Sequence, residues 1–99
     1  MALPKGEIKK ELAACLSGER EVRRIVIFGS FVTDPDPHDL DVAVFQDSDE
    51  DYLSLALKYR RATRSIARRI PLDIFPVRAT GATGAFLSEI ARGEVIYER

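Results

Sequence analysis

Three aspartates occupy positions from which they could act together. Asp39 and Asp41 flank a single leucine in Asp39-Leu40-Asp41, and Asp73 lies in Leu72-Asp73-Ile74-Phe75. If 39–45 is a strand, period-two alternation places Leu40, Val42 and Val44 on one face and Asp39, Asp41, Ala43 and Phe45 on the other. Residues i and i+2 of a strand are about 7 Å apart, so at an effective dielectric of about 20 the two carboxylates repel by about 2 kcal/mol. That is a sizeable part of a small domain's ~5–15 kcal/mol of stability, and it predicts a positive group between them. Should the strand holding Asp73 lie beside 39–45 with faces aligned, three carboxylates would offer hard oxygen ligands, a chemistry that suits magnesium or manganese better than zinc. The alternative assignment makes Asp39 a turn cap and the other two solvated strand ends. Gly29-Ser30, directly after an apolar run, adds a second element of phosphate chemistry. Glycine permits close backbone approach, and the serine hydroxyl and adjacent amides can donate to phosphate oxygens, although alone the dipeptide is equally an ordinary turn. His38 could reach such a site as a ligand or proton carrier, or simply shape the turn after Pro37.

The elements that would hold these residues can be read from the pattern. Ile8, Leu12 and Leu16 recur every four residues, with Leu3, Ala13 and Cys15 near the same stripe, which predicts an amphipathic helix over about 7–17 ended by Gly18. Val22–Phe28 is a β-branched run halted by Gly29-Ser30, hence a buried strand. Asp34-Pro35-Asp36-Pro37 can hold neither a helix nor a central strand, because proline lacks an amide donor and restricts its predecessor. Ser48 with Asp51 resembles a capping box for a long helix near 49–69 carrying Leu53, Leu57, Ala62, Ile66 and Ile70. Residues 72–75 read as a third strand; Phe86, Leu87 and Ile90 predict a short helix closed by Gly93; Val95-Ile96-Tyr97 is extended. With 99 residues, no repeat and no linker, the whole of 1–99 is expected to form a single α/β domain.

Strand, Gly-Ser, loop, Asp-x-Asp on a second strand, helix, then Asp on a third strand resembles the minimal nucleotidyltransferases of the polymerase-β-like superfamily. Gly29, Ser30, Asp39, Asp41 and Asp73 carry the resemblance, which extends to the ending Ile90–Tyr97. It implies an α+β fold with one mixed sheet flanked by helices, and transfer of a nucleoside monophosphate, AMP foremost, from ATP or another nucleoside triphosphate to an acceptor hydroxyl. By the same resemblance Asp39 and Asp41 would be ligands of Mg²⁺ or Mn²⁺, Asp73 the third metal-site and catalytic carboxylate, and Gly29 and Ser30 the nucleotide contact. One departure stands out: only eight residues, Phe31 to His38, separate the serine from the first aspartate, without the family's early arginine and glycine. A helix after Gly-Ser would be cut short, and a triphosphate would lose a cationic contact.

Composition narrows the remaining choices. Apolar residues make up 45% and charged ones 31%, the mix of a folded globular chain, and a net charge of −1 excludes binding nucleic acid by overall basicity. A single cysteine, Cys15, excludes a disulfide framework and a cysteine-based zinc site. No stretch has signal-peptide or membrane-span character, so a cytoplasmic location is expected. The small net charge conceals a separation: residues 34–51 hold eight acids and no base, while 58–69 hold six bases, with Arg60, Arg64 and Arg68 in an i, i+4 row and Arg61 beside it. This stripe is either a solvated helix face or a docking surface for an acidic partner; RNA is possible there but not favoured, Tyr59 being the one aromatic nearby. So small a domain has little surface to enclose both triphosphate and acceptor, and the resemblance implies an all-helical partner of the HEPN type, with this chain as the antitoxin-like half of a toxin–antitoxin pair. Two other functions fit the residues. One is a catalytically inactive module that keeps the fold and neutralises a partner by docking; the other is a metal-dependent nuclease.

Overall fold

The computed structural model describes residues 4–78, 88 and 90–99. Helix α1 (Lys5–Leu16) leads into strand β1 (Val22–Phe28), the four-residue helix α2 (Ser30–Thr33) and strand β2 (Leu40–Gln46). Helices α3 (Tyr52–Ala62) and α4 (Arg64–Ala67), strand β3 (Leu72–Arg78) and strand β4 (Glu94–Glu98) follow. The strands form one mixed sheet in the order β3-β2-β1-β4. β1 runs antiparallel to both β2 and β4, while β3 lies parallel to β2 because the α3–α4 segment carries the chain back between them.

The two faces of the sheet are packed differently. Leu40, Val42 and Val44 of β2 and Ile74 of β3 point toward the helices, where they join Ile8, Leu12 and Leu16 of α1 and Leu55, Tyr59 and Ile66 of α3–α4 in the main core. Burying side chains of this size stabilises by about 1.5–3 kcal/mol each. On the opposite face Val26, Phe28, Ala43, Phe45, Val77 and Ile90 form a smaller cluster, with Phe75 against it. The alternation read in residues 39–45 is therefore the one the sheet uses, except that the strand begins at Leu40 and leaves Asp39 just outside it.

Three expectations change. The single helix near 49–69 is two, interrupted at Thr63, whose hydroxyl donates to the Tyr59 carbonyl at 2.8 Å and whose backbone leaves helical geometry. A threonine that bonds four residues back competes with the helix's own ladder. Upstream of this break the buried side chains are Leu55, Ala56 and Tyr59, so Leu53 and Leu57, expected on the core stripe, are 66% and 45% exposed. The cap is Asp51 itself, which accepts from the Ser54 amide at 2.8 Å, while the Ser48 hydroxyl donates to Gln46. Phe86 and Leu87 lie outside the described residues, as does Leu3; residues 90 and 91 are helical, and Gly93 follows them where any Cβ would collide with the Ile27 carbonyl.

Candidate functional site

The register of the sheet brings two of the three aspartates together and leaves Asp39 outside the pairing. Asp41 of β2 pairs directly with Asp73 of β3, and on its other side Phe28 of β1 pairs with Asp41. Directly paired residues share a face, so Phe28, Asp41 and Asp73 form a row across three strands, with neighbouring strands about 4.8 Å apart. Asp39 stands just before β2 and is exposed, as is Asp73, while Asp41 is half-buried. The rings of Phe28 and Phe75 approach to 5.9 Å between centroids and supply an apolar wall on this face. Burial, the charge of Asp73 and then the charge of Asp39 push the Asp41 carboxyl above the usual aspartate range. The like charges anticipated from the sequence thus act on Asp41.

Gly29 closes the site from the β1 side. Its φ of 76° with ψ of −153° is a conformation that glycine alone tolerates, and a Cβ there would lie 2.7 Å from Asp41 Oδ2. The backbone therefore runs hard against the carboxylate, a closeness that only the missing side chain permits. Ser30 follows at the first position of α2, exposed, and α2 ends after Thr33, so the helix after Gly-Ser is indeed short. His38 is exposed in the loop before β2.

The donor set suits a hard divalent ion in kind. Asp39, Asp41 and Asp73 form no ion pair among the described residues, although six such contacts tie other charges together. No group of three or more His, Cys, Asp or Glu side chains among the described residues is drawn close enough to hold a metal by itself. Magnesium commonly takes only one or two protein carboxylates and completes its shell with substrate phosphates and water, so a three-carboxylate cage is not required of these aspartates.

Two features escaped the sequence reading. The apolar wall of Phe28 and Phe75 was legible in period-two spacing, since Phe75 shares a strand face with Asp73. The cavity beyond Asp73 was not: about 450 Å³ lined by Leu57, Arg60, Arg61, Arg64, Leu72 and Asp73, it brings part of the basic stripe to the edge of the carboxylate row. Arg68 does not line it.

Comparison with known proteins bears on this geometry. The family model described as polymerase beta, nucleotidyltransferase, matches residues 10–99. Among solved structures, the chain is similar to one in the complex of a tri-AMPylated Shewanella oneidensis HEPN toxin with an MNT antitoxin, at 17% identity and a TM-score of 0.66 over 96% of this chain and 73% of the other. A chain in the MntA–HepT toxin–antitoxin structure gives 14% identity and a TM-score of 0.62 over 95% and 73%. One in a toxin–antitoxin structure with AMP-PNP gives 18% and 0.60 over 98% and 75%. No curated protein matches the chain. At these identities the structures establish the mixed-sheet fold, and the family model, spanning nearly the whole sequence, establishes membership: this chain belongs to the polymerase beta nucleotidyltransferase family.

Proposed function

We propose that the chain is a metal-dependent nucleotidyltransferase that moves a nucleoside monophosphate, AMP foremost, from a nucleoside triphosphate to a hydroxyl on a helical HEPN-type protein. In this reading it is the antitoxin-like half of a cytoplasmic toxin–antitoxin pair. The observation that carries the reading is the in-register pair Asp41 and Asp73, with the Gly29 backbone pressed against Asp41. Family membership supports the reaction class, and the HEPN complexes among the similar structures support the kind of partner. Among the described residues no helix is long and apolar enough to cross a membrane.

The chain's own residues divide the work. Gly29 lets a phosphate chain approach the backbone, and the Ser30 hydroxyl donates to a phosphate oxygen. Asp39 and Asp41 would hold Mg²⁺ or Mn²⁺ on the triphosphate, and Asp73 faces the incoming acceptor. A divalent ion, when bound, supplies positive charge that stabilises the attacking and leaving oxygens. The acceptor oxygen forms a bond to the α-phosphorus while the bond to the bridging oxygen of the β-phosphate breaks; pyrophosphate leaves and the acceptor's proton passes to Asp73. Incubation with α-labelled ATP, magnesium and the co-encoded HEPN-type protein is expected to label that protein. Asp41→Asn is expected to reduce labelling at least about a hundredfold, since several kcal/mol of transition-state stabilisation are lost. Absence of label with any of the four nucleotides would refute the proposal.

The short α2 supports a second reading, in which the fold is kept for docking alone. There, Asp41→Asn leaves neutralisation of the partner intact while Arg64→Glu removes it.

A further inference from the structure

The cavity at the start of β3 has a composition that the reaction as described does not use. Arg60, Arg61 and Arg64 line it together and make no ion pair among the described residues, so three cations share one cavity. Three guanidinium groups without anions are expected where an anion is to be received, because Arg forms its strongest contacts with carboxylates and phosphates. Asp73 lines the same cavity, so the arginines continue the carboxylate row without a break. Leu57 adds an apolar wall, and Leu53, one turn earlier on α3 and 66% exposed, extends it outward.

Position decides which substrate could enter. Gly29 and Ser30 follow β1, and the cavity sits on β3, with β2 and Asp41 between them. In-line displacement at phosphorus places the attacking oxygen opposite the leaving pyrophosphate. If the Gly29-Ser30 side takes the triphosphate, the acceptor must arrive from the Asp73 side, through or past the arginines.

We propose that this cavity is the subsite for the residues flanking the acceptor hydroxyl, and that it selects an acidic peptide segment, with carboxylates on Arg60, Arg61 and Arg64 and an aliphatic side chain on Leu57. The inference rests on the nucleotidyltransferase reading for its location and gives that reading a substrate class. A protein segment is favoured over RNA because the lining offers, among the described residues, no aromatic ring on which a base could stack, while Leu57 offers an apolar contact for a side chain.

Fluorescence anisotropy without nucleotide tests it on the full chain. The probes are a fluorescein-labelled peptide with one tyrosine between glutamate triplets and a terminal leucine, its all-glutamine counterpart, and a labelled single-stranded RNA. The acidic peptide is expected to bind at least tenfold more tightly than the glutamine peptide, and to lose tenfold or more in Arg60→Glu/Arg64→Glu. Arg68→Glu, outside the cavity on the same segment, should change binding less than twofold, and Arg60→Lys/Arg64→Lys should retain most of it. Should the double reversal fail to fold by circular dichroism, Arg61→Ala takes its place, with about a threefold loss expected. Equal binding of the two peptides, an equal loss in Arg68→Glu, or tighter arginine-dependent binding of the RNA would overturn the proposal. Binding is also expected in Asp41→Asn. Retained binding in a wild-type chain that transfers nothing would refute the enzymatic reading while leaving the acidic-peptide site standing.

Discussion

The helix-covered face of the sheet and its opposite face treat charge in contrary ways. On the covered side, the fully buried Tyr59 donates its hydroxyl to Glu21 Oε2 at 2.7 Å, and Lys58 Nζ reaches the same carboxylate at 2.9 Å and Glu19 at 3.2 Å. Burial pulls the Glu21 carboxyl upward, yet these donors outweigh it and hold the group below its ordinary range, while Lys58 is held above its own. On the other side, Asp41 is pushed upward by burial and by two more aspartates, with no cation among the described residues paired to it. A protein selected only for stability would not keep that arrangement, since uncompensated like charges cost free energy. One face is internally satisfied, and the other keeps its like charges unpaired among the described residues, an arrangement that the proposed divalent ion would relieve.

The sharpest way to break this contrast is Gly29→Ala. The new Cβ would meet Asp41 Oδ2 in a backbone conformation that costs an alanine about 1–3 kcal/mol, so the melting temperature is expected to fall by roughly 10 °C and transfer to be lost. An alanine variant that melts and transfers like the wild type would mean that Gly29 is not pinned against the carboxylate. Tyr59→Phe acts on the satisfied face. Loss of one hydrogen bond to a carboxylate that keeps Lys58 is expected to cost about 1 kcal/mol, or about 4–8 °C, with labelling of the partner unchanged. A fall in labelling at temperatures where the variant is folded would blur the division of labour between the faces.

Asp41→Asn should move the other way. Without metal at neutral pH it removes a repelled, half-buried charge and is expected to raise the melting temperature by about 2–5 °C. Added manganese should stabilise the wild type and leave the variant unmoved, because binding to the native state alone is what raises stability. A smaller effect concerns pH. Glu21 has a folded value lowered from 4.5, so its contribution is fully present above that value and is lost as pH falls through the lowered one. Wild type and Glu21→Gln should therefore differ in melting temperature at pH 7 and converge toward pH 3. A constant gap across that range would show that the Lys58 and Tyr59 contacts do not hold the carboxylate.

Much of this is legible in the sequence because it depends on local periodicity. The alternation in 39–45 fixed which side chains of β2 enter the main core, and the β-branched run before Gly29 fixed β1. The helix over 49–69 breaks for a local reason that periodicity does not contain: Thr63 bonds the Tyr59 carbonyl with its hydroxyl, and its backbone leaves helical geometry. Leu53 and Leu57, on the stripe that an unbroken helix predicts, are exposed.

By itself the sequence determined the parts: three carboxylates on strand-forming segments, a glycine able to take a positive φ, and a row of arginines on a helical stretch. Only the tertiary structure decided that β3 lies parallel to β2 with Asp73 opposite Asp41, rather than one residue out of step and facing the helices. Strand side chains repeat every two residues, so a slip of one would have reversed every assignment. The burial of Ile74 with the main core selects the observed register. The placement of Arg60, Arg61 and Arg64 beside Asp73 likewise follows from how α3 and α4 cross back over the sheet edge, a contact between residues distant in the chain that no spacing rule encodes.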